Sequence, residues 1–230
     1  MKTLYESIFD TDFEPTVANT KVKPRSKVEL IQIIADHVKK LIPCPGEEVD
    51  LNWIDISGVD DLSHLFQDTL YIPVIDAWKI DHVKDFGYMF SGNVYIKSSP
   101  LPVLQESLKG KWCYRSMFEG CTSLQVAPKL PPKKLTYYCY SSMFEGCTSL
   151  QVAPALPAKK LGPWCYSHMF DGCTSQQVAP ELPAKTLEPY CYYNMFAGCK
   201  SLTKVPALPA KKLETGCYED MFKGCPCENK

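Results

Sequence analysis

Residues 139–164 read CYSSMFEGCTSLQVAPALPAKKLGPW, from Cys139 to Trp164. The stretch recurs with drift from Cys113 to Tyr138, from Cys165 to Tyr190 and from Cys191 to Gly216, and a partial copy runs from Cys217 to Lys230. The register is strict: Cys113, Cys139, Cys165, Cys191 and Cys217 are each 26 residues apart, as are Cys121, Cys147, Cys173, Cys199 and Cys225. A fixed period of about 20 to 50 residues is the mark of a stacked repeat array, in which each unit buries its apolar face against its neighbours. Function is then expected on a repeated surface.

Aligning Met143-Phe144 outward gives Leu65-Phe66, Met89-Phe90, Met117-Phe118, Met169-Phe170, Met195-Phe196 and Met221-Phe222, spaced by 24 to 28 residues. The predicted fold is an α/β solenoid, a leucine-rich-repeat-like superhelix of about seven coils. Stacked at the inter-strand spacing of about 4.8 Å, it would be roughly 30 to 35 Å long. Within one coil, Cys139, Met143 and Cys147 lie four residues apart with Tyr140 and Phe144 alongside, predicting a short helix that stops at Gly146. Leu150 and Val152 then alternate as a short strand, and Pro154 and Pro157 prevent its continuation as an interior paired strand. Leu156 and Leu161 add inward contacts before a turn at Gly162-Pro163.

Upstream, Ser26 and Glu29 have the spacing of a capping box, and Leu30, Ile31, Ile34, Val38 and Leu41 recur at helical spacing until Pro43. Three parts are expected: an arm and linker over residues 1–25, a capping helix within 26–45 (Ser26 to Ile42), and the repeats over 46–230. In the arm, Leu4, Tyr5, Ile8 and Phe9 share one helical face, on a helix too short to be stable alone in water. They mark either a segment folded back on its own domain or a docking peptide for a larger assembly.

The pattern CYxxMFxGCTSLxxAPxLPAxxL resembles the BspA-like leucine-rich repeat proteins, bacterial surface-protein repeats of gut Bacteroidetes, their mobile elements and phages. Asp50 to Phe66, DLNWIDISGVDDLSHLF, resembles the first unit of that family and Trp78 to Phe90, WKIDHVKDFGYMF, its second. The start, MKTLYESIFD, resembles leaders on gut Bacteroides and phage proteins. The resemblance implies a curved repeat superhelix and non-catalytic binding or adhesion. Two departures stand out: the family's surface adhesins usually carry export or anchoring signals, absent from this sequence, and these repeats are Pro-rich where others have Ile or Thr strands.

Net charge is −1 with 22% charged residues, so no bulk field points to nucleic acid or a membrane surface. No run of apolar residues is long enough to span a bilayer. The N-terminus lacks the pattern of an ordinary secretion signal, favouring a cytoplasmic or virion-associated location over the cell surface. Ten of twelve cysteines fall in two repeat columns and read as small buried hydrophobes ahead of disulfides. The four histidines recur with no partner that would assemble a triad, and no phosphate loop, zinc knuckle or nucleophile elbow is visible. A non-enzyme without cofactor or metal is expected.

Stacking turns each repeat position into a column. Trp112, Tyr138, Trp164 and Tyr190, followed by Gly216, form either an exposed aromatic stripe for a protein or glycan partner or rings packed between coils. Lys133, Lys159, Lys185 and Lys211, with Lys134, Lys160 and Lys212 beside them, either stay solvated or meet an anionic partner, because like charges about 5 Å apart repel. The pairs Arg115-Ser116, Ser141-Ser142, Ser167-His168, Tyr193-Asn194 and Glu219-Asp220 differ in every copy, as positions free of packing duty would. The last repeat breaks off soon after Phe222, suggesting association of copies through that face. The functional expectation is a recognition or adhesion module; the alternative is a structural or display component of an assembly such as a phage virion, docked through the arm.

Overall fold

The computed structural model describes residues 21–101, 104, 110–131 and 134–227. Leu4, Tyr5, Ile8, Phe9 and Lys133 lie outside the described residues. Helix α1 spans Lys27–Leu41 and is the only α-helix among them; strands β1 (Glu48–Asp50) and β2 (Ile72–Val74) pair in parallel. The hydroxyl of Ser26 accepts the Glu29 N–H at 3.2 Å, as the spacing predicts, but Glu29 reaches back to the Arg25 amide (2.7 Å) instead of that of Ser26. Ile42 ends the helix in the left-handed region with its N–H on the Val38 carbonyl. Leu30 and Ile34 are buried in the common core, and Lys27 reaches Asp61 and Ser63 of the first repeat at 3.1 and 2.7 Å.

The short helix expected in each repeat does not form. The segment 112–121 folds instead as consecutive turns, and two features of the backbone show why. Trp112, Ser116 and Gly120 all have positive φ, a set repeated at Tyr138, Ser142 and Gly146, at Trp164, His168 and Gly172, and at Tyr190, Asn194 and Gly198. A left-handed residue every fourth position is incompatible with a right-handed helix. In addition, the N–H groups alternate in destination. Those of Tyr114, Ser116, Phe118 and Gly120 donate to Cys139, Ser141, Met143 and Glu145 of the next repeat at 2.7–3.1 Å. Those of Arg115, Met117, Glu119 and Cys121 donate three residues back at 2.9–3.4 Å. Half of the amides therefore tie one repeat to the next. A four-residue turn and a 3.6-residue helix put the same residues inside, so side-chain periodicity alone does not separate them.

The inward positions of this segment form continuous ladders. Phe66, Phe90, Phe118, Phe144, Phe170, Phe196 and Phe222 stack ring on ring with centroids 5.3–5.8 Å apart. Beside them Phe86, Tyr114, Tyr140, Tyr166, Tyr192 and Tyr218 stack at 5.3–5.9 Å. Met117, Met143, Met169 and Met195 are fully buried in the same core. The glycines of the third left-handed column touch as neighbours: a Cβ on Gly146 (φ 70°) would lie 3.7 Å from the Gly120 backbone. Glycine relieves the backbone strain there.

Past the turns the expected strand shrinks to isolated parallel bridges, Val152 to Val178 and Val178 to Lys204. Leu150 is buried, but Val152 is 76% exposed, so the alternation that would place both inward is not kept. Pro154 and Pro157 leave no run of amides to continue the ladder. Leu156 and Leu161 do turn inward, as expected.

Candidate functional site

The cysteine columns are structural. The ten cysteines of the two columns are buried, and Cys44 is exposed. Each of Cys121, Cys147, Cys173 and Cys199 donates to a phenylalanine carbonyl of the preceding repeat at 3.0–3.1 Å. Burial pushes Cys121 and Cys191 up to about 12 and raises the others of these columns for which a shift is resolved, so these thiols stay protonated and weakly nucleophilic.

The aromatic column lies at the surface. Trp112 stacks on Tyr138 (6.5 Å), Tyr138 on Trp164 (5.6 Å) and Trp164 on Tyr190 (4.1 Å). Trp112 is 47% exposed and the other three rings are half-buried. All four residues have φ between 54° and 59°, where a bulky side chain costs about 1–2 kcal/mol. Ring stacking returns about 0.5–1.5 kcal/mol per pair, enough to offset much of that strain. Gly216 ends the column, and a Cβ there would collide with the Tyr190 ring. Because the rings from Trp112 to Tyr190 cover one another's facing sides, the interior of the stripe presents ring edges.

Residues outside the column widen the stripe. Tyr193 meets Trp164 and Tyr190 edge-on at 5.7 and 5.9 Å, and Tyr137 meets Tyr138 at 4.7 Å. The Arg115 guanidinium sits 5.7 Å from the Tyr88 ring and 5.8 Å from Tyr138. Arg115 and Tyr193 belong to the variable positions, the sequence signal that marks them. Not every variable position is free of packing: Ser116, Ser141 and Ser167 are buried, with the Ser141 and Ser167 hydroxyls bonded at 2.9 Å. Stacking gives a small buried hydroxyl its own ladder, which variation between copies does not reveal.

Next to the stripe runs an acidic column, Glu119, Glu145 and Asp171. His168 bonds Asp171 at 3.0 Å, and this bond chiefly raises the imidazole above its ordinary value. Burial, with the neighbouring charges of Glu119 and Asp171, raises Glu145.

The lysine column sits elsewhere. Lys134, Lys159, Lys160 and Lys185 line an open groove of about 580 Å³ with one carboxylate, Glu188. None of the four has an ion pair among the described residues, whereas Lys212 pairs with Glu214 at 3.4 Å. Lys211 is exposed and lies outside the groove lining. No residue of the aromatic column is among the groove's lining residues.

Late in the sixth repeat, Leu208 and Leu213 are 42% and 59% exposed, although their counterparts Leu182 and Leu187 in the fifth are buried. The amides of Tyr218, Asp220 and Phe222, equivalent to those that bond across repeats, have no acceptor among the described residues. Among the described residues no helix is long and apolar enough to cross a membrane. Compared with protein-family profiles, curated proteins and solved structures, the chain matches none.

Proposed function

We propose that this chain is a non-enzymatic recognition module built on a leucine-rich-repeat-like solenoid, and that Trp112, Tyr138, Trp164 and Tyr190 form its binding stripe for a protein partner. One observation carries this reading: four half-exposed rings occupy left-handed positions that Gly216 fills without strain in the next repeat. A repeat stack needs no aromatic residue there. Trp, Tyr and Arg are the residue types that dominate protein interfaces, and here Trp164, Tyr193, Tyr138 and Arg115 lie together. The stacked rings are held rigid before binding, which lowers the entropic cost of association.

Edges, not faces, are offered along the stripe, and this supports a protein over a glycan chain lying on the rings. The resemblance to BspA-like repeats points to binding or adhesion as well. The test is quantitative affinity capture from native source material with the wild type, with Trp164→Gly and with a chain lacking residues 1–25. Partners lost with Trp164→Gly support the stripe. Loss only on removing the arm would overturn it in favour of an assembly component docked through Leu4, Tyr5, Ile8 and Phe9.

A further inference from the structure

The aromatic stack stops at Trp112. The residue one repeat earlier is Lys84, whose ammonium is held by Asp60 at 2.6 Å, and among the described residues no ring stacks on Trp112 from that side. There Trp112 borders a recess of about 200 Å³ lined also by His64, Asp85, Gly87, Tyr88, Arg115 and Ser63, whose hydroxyl is already held by Lys27 at 2.7 Å. The geometry points to this recess as a binding site for one neutral sugar ring. The recess shares Trp112 and Arg115 with the proposed stripe, and the glycoside experiment below reads it without any protein partner.

Three observations carry it. First, the walls are aromatic and preorganised: His64 stacks on Tyr88 with centroids 4.7 Å apart and planes 8° from parallel, and Tyr138 backs Trp112. A pyranose presents a C–H face that packs on such rings. Second, the recess holds one acceptor and one donor that are unused. Asp85 takes the Gly87 N–H on Oδ1 at 2.8 Å, and its Oδ2 makes no hydrogen bond among the described residues. The Arg115 side chain, held between two tyrosine rings, likewise makes no hydrogen bond or ion pair there. A carboxylate oxygen and a guanidinium flanking an aromatic wall can take the hydroxyls at a sugar's rim.

Third, one carboxylate and one guanidinium leave the lining without net charge, which selects a neutral ring over a uronate or phosphate. The volume lies below the range of about 300–1,000 Å³ typical of larger ligands, so a single ring or chain end is the expected occupant. The half-buried Asp85 carboxyl is raised chiefly by burial and also by the charge of Asp61, and a hydroxyl donating to Oδ2 would offset part of that burial cost.

The experiment is ligand-observed NMR on the full chain with methyl β-glucoside, methyl β-galactoside, methyl N-acetyl-β-glucosaminide and glucuronate. At least one neutral glycoside is expected to bind saturably, and about tenfold more weakly to Trp112→Gly and to Asp85→Asn, with Lys159→Ala unchanged. Thermal unfolding of each variant separates lost binding from lost fold. Absence of binding by every neutral glycoside, preference for glucuronate, or equal binding by folded Trp112→Gly and Asp85→Asn would overturn the assignment.

Discussion

Trp164 and Tyr190 lie 4.1 Å apart, centroid to centroid, with their planes 14° from parallel. They come from adjacent repeats, and both have left-handed backbones at φ 59° and 56°. Trp164→Gly removes two stacks but also removes the strain. The terms nearly offset, so a loss of at most about 1 kcal/mol is expected by chemical denaturation. A loss as large as that of a buried aromatic would make the ring part of the core.

Phe144 gives the comparison. Its ring is fully buried between Phe118 and Phe170 at 5.8 and 5.7 Å. Phe144→Ala should cost about 3–5 kcal/mol, and Met143→Asp should unfold the array by burying an unpaired charge. A near-normal melting curve for Met143→Asp would refute the core assignment.

Gln176 is an apolar position with the wrong side chain. It is fully buried where Leu124, Leu150 and Leu202 stand in other repeats, and its Oε1 has no partner while Nε2 reaches the Val178 carbonyl at 3.3 Å. Gln176→Leu should stabilise the protein by about 1–3 kcal/mol, read from the denaturation midpoint.

Thiol burial predicts a labelling pattern. In the native protein iodoacetamide should modify Cys44 rapidly and the buried columns slowly, with all twelve cysteines labelled in denaturant. Rapid native labelling of Cys147 or Cys173, read by mass spectrometry, would contradict the ladder.

The pH dependence follows from His168. Its pKa is raised above the ordinary 6.5 by Asp171, so the pair's stabilisation is fully present below pH 6.5 and is lost as pH rises through the raised value. Glu145, also raised, acts in the same direction from its ordinary 4.5 upward, because ionisation is disfavoured in the fold. His168→Gln should flatten the wild-type decline in melting temperature above pH 6.5; parallel profiles would contradict the pairing.

The repeat period, the capping helix and the inward residues were legible because burial imposes strict chemistry at Cys139, Met143 and Phe144. The turn backbone was not, since residues four apart share a side in either geometry and the signs of φ at Ser142 and Trp164 leave no mark on hydrophobicity. Val152 misled because a branched apolar residue normally signals a half-buried strand. The aromatic column could be named from spacing, but its half-exposure and edge-on presentation depend on stacking distances. The recess by Trp112 was hidden for another reason: His64 and Tyr88 lie in the two divergent repeats, where spacing drifts to 24 and 28 residues.

The most direct test of the recognition stripe is the dissociation constant of a captured partner for wild type and for folded Trp164→Gly. We expect affinity at least tenfold weaker in the variant at matched salt. An unchanged constant, with both proteins folded, would contradict the stripe as the binding surface.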